Sequence, residues 1–153
     1  MSGERFDLPT VELETRAFWD AASGGVLMLG KCGDCGRLHY YPRPMCPYCW
    51  SENVTLTPAS GRGVIYTYST VYVNDLPPFR ERLPYVAAQV DLEEGLRITT
   101  NIVDCPAKDL SIGLPVTARF NAISDEVTIA VFRPAAITRA AASRRTAKGG
   151  LLR

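Results

Sequence analysis

At 153 residues, 46% hydrophobic and 22% charged, the chain has a globular composition, enough for one domain or for a small module plus a domain of about a hundred residues. Its apolar runs are too short to cross a bilayer and no basic-then-apolar leader opens it, so a cytoplasmic protein without a membrane partner is expected. The net charge of +1 conceals an asymmetry: five of the 17 basic residues (Arg139, Arg144, Arg145, Lys148 and Arg153) follow residue 134 with no acid among them, leaving 12 basic against 16 acidic residues before it. An acidic body lacks the basic surface that phosphate contacts need, which disfavours nucleic acid as a partner.

Residues 1–25 read as an N-terminal helical segment. Leu13, Ala17 and Ala21 recur at four-residue spacing with Phe18 beside them, which predicts an amphipathic helix over 11–22. Glu12 and Glu14 would lie in its first turn, where carboxylates favour the helix dipole, and Ser23-Gly24-Gly25 would stop it. Such a helix either caps the modules that follow it in the chain, or offers Phe18 and Trp19 to another subunit.

Residues 26–57 carry the strongest chemical signal. Cys32-Gly33-Asp34-Cys35 and Cys46-Pro47-Tyr48-Cys49 are two C-x2-C pairs separated by ten residues. Each such pair folds as a tight knuckle that aims both sulfurs at one point, and two knuckles supply four ligands for a tetrahedral zinc. A four-thiolate shell leaves no open position for water or substrate, so this metal holds structure. A disulfide framework would leave Cys105 over, and a thioredoxin-like site would leave one pair unexplained. Iron in a rubredoxin-like site uses the same spacing as zinc. His39, the only histidine, reads as a bystander on a ribbon strand. Strands are expected at Val26–Lys31 and Leu38–Tyr41, and the Pro42-Arg43-Pro44 segment stiffens the approach to the second knuckle. Gly36 can take the positive φ that closes the first knuckle; Trp50 stands in the equivalent place of the second.

From Gly61 the pattern turns to β-strands, at Gly63–Val73, Tyr85–Leu92, Leu96–Val103, Val116–Phe120 and Val127–Phe132. Glu93-Glu94-Gly95 reads as a hairpin turn, and Asp91, Glu93 and Glu94 around it as solvated carboxylates. Pro77-Pro78 and Ile112-Gly113-Leu114-Pro115 mark longer loops. Five strands so spaced suit a small Greek-key barrel such as an OB-fold, over residues 58–134, although strand counting does not separate it from other small barrels. A basic tail, 135–153, ends the chain.

The chain resembles the acyl-CoA-associated zinc-ribbon plus OB-fold family, formerly a domain of unknown function. The resemblance is carried in order by Phe18-Trp19-Asp20-Ala21-Ala22, the ribbon Cys32-x2-Cys35-Gly36 through Pro42-Arg43-Pro44-x-Cys46-Pro47-x-Cys49, and Gly61-Arg62-Gly63. It continues through Pro84-Tyr85-Val86, Val90-Asp91-Leu92-Glu93-Glu94-Gly95, Ile112-Gly113-Leu114-Pro115-Val116 and Phe132-Arg133-Pro134. It implies a mainly β protein with an N-terminal helix, a rubredoxin-like zinc ribbon with one structural zinc, and a five-stranded OB-fold barrel. The implied role is a non-catalytic accessory subunit of a thiolase-superfamily enzyme (a thiolase, an acyl-CoA synthase or a steroid side-chain aldolase), with acyl-CoA as shared ligand.

The residues themselves are permissive of that role. No nucleophile–base pair and no glycine-rich phosphate loop stand out, and Cys105 has no evident activating base. Coenzyme A carries several negative charges, so contact residues should include cations near loops. Arg43, Arg62, Arg80, Arg82 and Arg133 qualify, and Phe79 joins them within the apolar and basic loop Pro77–Pro84. The alternative function is a module for single-stranded nucleic acid. Tyr66, Tyr68 and Tyr72 share strand parity and could form a stacking platform, unless a bulge in that long strand switches the parity.

Overall fold

The computed structural model describes residues 7–136; most of the basic tail, from 137 on, lies outside the described residues. One helix, α1 (Arg16–Ser23), precedes eight strands: β1 (Met28–Cys32), β2 (Leu38–His39), β3 (Val54–Pro58), β4 (Arg62–Val71), β5 (Tyr85–Leu92), β6 (Arg97–Ile102), β7 (Pro115–Ala122) and β8 (Thr128–Pro134). The first three form an antiparallel sheet in the order β2-β1-β3, and the other five close into a barrel in the order β4-β5-β6-β8-β7. A single parallel register pair, Ile102↔Phe132, joins β6 to β8, while β4 pairs with both β5 and β7 and closes the barrel. This is the five-stranded OB-fold topology.

Strict alternation builds the barrel core. Along β5 every second residue (Val86, Ala88, Val90, Leu92) is buried, as a strand with one face on a core requires. Ile65, Val116 and Phe132 meet them from β4, β7 and β8. Leu27 and Leu29, from the ribbon side, belong to the same buried cluster, so ribbon and barrel share one core. Gly63 sits where β4 is flanked on both sides. A Cβ there would lie 2.5 Å from the carbonyl oxygen of Asp91, a backbone atom with no freedom to move aside.

The helix differs from expectation in start and face. Thr15 folds back on Glu12, whose backbone N–H donates to Thr15 Oγ1 at 3.2 Å, and the helix begins only after this turn. Glu12 and Glu14 therefore precede the helix and do not lie in its first turn. The buried residues are Phe18, Trp19 and Ala22; Leu13 is 91% exposed. Phe18 meets Trp19 and Tyr41 edge-on, at ring-centroid distances of 5.0 and 4.7 Å, and packs with Val127. Of the two roles open to this helix, the capping one is what the packing shows: its aromatics are spent inside the chain.

Candidate functional site

The two knuckles are near copies of each other. In the first, Gly36 N–H donates to the Cys32 carbonyl at 3.0 Å; in the second, Trp50 N–H donates to that of Cys46 at 3.0 Å. Gly36 has φ +71° and Trp50 φ +63°. The left-handed turn that a glycine adopts freely is thus imposed on a tryptophan in the second knuckle, against the steric preference of an L side chain.

All four Sγ atoms lie within 4.8 Å of one another, with Cys32–Cys49 at 3.5 Å and Cys35–Cys46 at 3.7 Å. Zinc–sulfur bonds of about 2.3 Å place tetrahedral ligands about 3.8 Å apart, so the donor set fits one zinc. The backbone N–H of Cys35, 3.5 Å from Cys32 Sγ, does most to draw the Cys32 thiol down to about 6. Cys49 moves the other way. A backbone hydrogen bond at Ser51 lowers it, but burial and the neighbouring sulfurs of Cys32, Cys35 and Cys46 win and raise it to about 12. Four thiolates crowd too much charge into one place to coexist without a divalent cation.

A latch that sequence inspection missed ties the knuckles together. Asp34, inside the first, accepts from Ser51 Oγ at 2.5 Å and from Asn53 Nδ2 at 3.0 Å, just past the second. These two donors, Ser51 foremost, hold the Asp34 carboxyl below its ordinary range. A polar residue inside one C-x2-C facing two just after the other was the available signal. His39 is not among the sulfur cluster. It is buried over Gly30, and burial pushes its pKa down, so it stands as a neutral filler.

The candidate contact residues do not converge. Arg62 forms an ion pair with Glu93 at 2.7 Å. Arg133 is exposed on β8, and Arg43 lines a small cleft beside Thr15 and Phe18. Phe79, Arg80 and Arg82 share one 3-10 turn, Phe79–Arg82, with the Arg82 guanidinium 5.9 Å from the Phe79 ring centroid. Phe79 and Arg82, but not Arg80, line an open cavity of about 810 Å³ at one end of the barrel.

The tyrosine platform is broken up by the strand itself. The register of β4 shifts between Ile65 and Thr67, a bulge at Tyr66 that switches parity. Arg97 lies over the Tyr66 ring, Tyr68 turns onto the core with its hydroxyl donating to the Leu110 carbonyl at 3.1 Å, and Tyr72 stands apart, 70% exposed.

Family models match the ribbon and the barrel as far as β7, leaving β8 outside. Residues 19–55 match the ChsH2 rubredoxin-like zinc ribbon domain and residues 56–121 the ChsH2 C-terminal OB-fold domain. A DUF35 domain-containing scaffold protein of Methanocaldococcus jannaschii is 41% identical over 100 residues, which are 63% of this chain and 68% of that protein. This chain belongs to the DUF35 family. Another relative is a probable enoyl-CoA hydratase alpha subunit of Thermomonospora curvata, 38% identical over 120 residues, which are 78% of this chain but only 37% of that subunit. The benzoylsuccinyl-CoA thiolase subunit BbsA of Geobacter metallireducens is 38% identical over 68 residues, or 44% of each chain. Among solved structures, a chain of the Ltp2-ChsH2(DUF35) aldolase superposes with TM-score 0.72 and 33% identity, covering 83% of this DUF35 chain and 98% of that one. A crystal structure of a Sulfolobus solfataricus DUF35 protein, at 13% identity and TM-score 0.55, shares the fold.

Proposed function

We propose that this DUF35 chain is a non-catalytic accessory subunit that binds a thiolase-superfamily enzyme and helps position or channel its acyl-CoA. The observation that carries this reading is the match to a chain of the Ltp2-ChsH2(DUF35) aldolase over 98% of that chain's length, supported by relatives named as subunits of a thiolase and a hydratase. The chemistry of the chain agrees with an accessory role. Its zinc site is a closed thiolate shell that offers no position to a reactant. Burial, and then Asp109, raise the Cys105 thiol, the opposite of what a nucleophile needs. The one histidine is buried and stands outside the sulfur cluster.

The segment between β4 and β5 supports a docking role. Tyr72, Val73 and Leu76 expose large apolar side chains there, although the loop is pinned from within. Asn74 Nδ2 donates to the Tyr85 hydroxyl and Asn74 Oδ1 accepts from the Leu76 N–H, both at 3.1 Å. A loop held in shape while showing apolar residues to water suits a partner surface. Phe79, Arg80 and Arg82 extend it, and we assign the partner or acyl-CoA contact to them ahead of Arg43, Arg62 and Arg133. Co-expression with a thiolase-superfamily enzyme from the same organism tests the reading. One co-eluting complex is expected at micromolar concentration; separate elution with full activity in the enzyme alone would overturn it.

A further inference from the structure

We propose that the sulfur cluster is a reversible oxidation site as well as a metal site: peroxide joins Cys32 to Cys49 and Cys35 to Cys46, across the two knuckles, and the metal is given up. This goes beyond the accessory-subunit reading and does not depend on it. Each cross-knuckle pair combines one exposed residue with one buried residue: Cys35 and Cys49 are exposed, Cys32 and Cys46 are buried. The exposed member is open to a small oxidant. The buried member of the facing knuckle stands directly behind it, at 3.5 Å for Cys32–Cys49 and 3.7 Å for Cys35–Cys46. A solvent-accessible thiolate beside a second cysteine that can resolve it is the arrangement from which reversible oxidation proceeds. Cys105 stands outside the cluster.

A C-x2-C pair in a redox motif oxidises within itself, but this fold favours coupling between the pairs. The two knuckles are held face to face by bonds that owe nothing to the metal. Gly33 N–H donates to the Asn53 carbonyl at 2.8 Å, and the Asp34 carboxylate accepts from Ser51 and Asn53. Facing sulfurs therefore stay together while oxidation proceeds. The Cys49 thiolate attacks one peroxide oxygen, forming an S–O bond as the O–O bond breaks and hydroxide leaves. The Cys32 thiolate then attacks the Cys49 sulfur, forming the disulfide as the S–O bond breaks and a second hydroxide leaves. Cys35 and Cys46 react likewise with a second peroxide. Four thiolates give up four electrons, two peroxides become four hydroxides, and no thiolate remains to hold the divalent cation. A thiol reductant restores all four.

Peptide mapping of the full-length, zinc-loaded chain after hydrogen peroxide decides this, with zinc release followed by a chromogenic chelator. Trypsin cuts after Lys31, Arg37 and Arg62 but not between Arg43 and Pro44, so Cys32 and Cys35 fall on peptide 32–37 and Cys46 and Cys49 on peptide 38–62. The two peptides should be recovered joined, with fragmentation placing the bonds at Cys32–Cys49 and Cys35–Cys46. The chain should lose its one zinc, recover it after dithiothreitol and added zinc, and keep Cys105 open to alkylation throughout. Peptides recovered apart, each with its own internal disulfide, would overturn the cross-knuckle coupling. Zinc retained and all thiols still alkylatable after millimolar peroxide would overturn the site, as would sulfonic acids that dithiothreitol does not reverse. Asp34→Ala removes the latch and no ligand. It should raise the share of peptides recovered apart at least threefold, and an unchanged share would overturn the latch as the device that directs the pairing.

Discussion

Trp50 occupies a backbone position built for glycine, and its ring is 76% exposed, so packing does not repay the strain. Trp50→Gly should therefore raise the stability of the zinc-loaded chain by about 0.5–1 kcal/mol, after allowing for the greater freedom of glycine when unfolded. Equilibrium denaturation checks it, and an unchanged or lower midpoint would contradict the strain. Gly30 carries the opposite constraint. It faces His39 across the β1–β2 pair, and a Cβ would lie 2.3 Å from the imidazole Nε2. Since that ring is buried and cannot swing away, Gly30→Ala should cost about 1–3 kcal/mol. In a Gly30→Ala/His39→Ala pair the two effects should be strongly non-additive, because the second substitution vacates the space the first one needs. At the metal, Cys46→Ser removes a buried ligand; the chain should lose its one zinc by elemental analysis and the ribbon should unfold, since structural zinc contributes roughly 10–16 kcal/mol in small modules. Retention of one zinc per chain would contradict the four-cysteine site.

At the scale of elements, the β5–β6 hairpin is stapled on its solvent face. Arg97 meets Asp91 across the pair at 2.6 Å and holds its carboxyl below the ordinary range, and Arg62 does the same for Glu93. A carboxyl whose pKa is depressed by folding contributes its stability above the unfolded value, near 3.9 for Asp, and loses it as the pH falls through the folded one. Asp91→Asn should thus lower the melting temperature slightly above pH 5, where the pair is formed, and converge with the parent chain as the pH falls below 4, so that its acid decline is the shallower one. These pairs are exposed and screened, so salt should blunt the difference.

This hairpin also shows how much the residues alone reveal. Its alternation and its Glu93-Glu94-Gly95 turn are local signals, and the strand Tyr85–Leu92 stands at its expected bounds. The C-x2-C pairs are equally local. β3, Val54–Pro58, carries no such signal, because no residue in it is fully buried and its pattern does not alternate. The helix starts later than expected because Thr15 closes a turn that competes with the first helical turn, and its buried face is set by packing on Tyr41 and Val127. The bulge at Tyr66 has no marker in the residues themselves; it arises from bending a ten-residue strand around a barrel. The cavity is illegible in the sequence for a different reason: its walls come from segments around residues 79, 102, 120 and 130, which only the barrel brings together.

At the scale of the whole molecule, the zinc site and the barrel-end cavity are separate features of one core. Leu27 and Leu29 join the ribbon to the barrel, so the metal stabilises the platform from which the loop after β4 and the cavity beyond it are presented. No helix among the described residues is long and apolar enough to cross a membrane. The proposed place of the chain beside a thiolase-superfamily enzyme is tested most directly by reconstitution. Zinc-loaded chain is titrated into a purified thiolase-superfamily enzyme from the same organism, and acyl-CoA turnover is followed. The account predicts that turnover rises to a plateau at a fixed molar ratio, and that the chain alone turns over nothing. Turnover by the chain alone, or an enzyme equally active at every ratio, would contradict it.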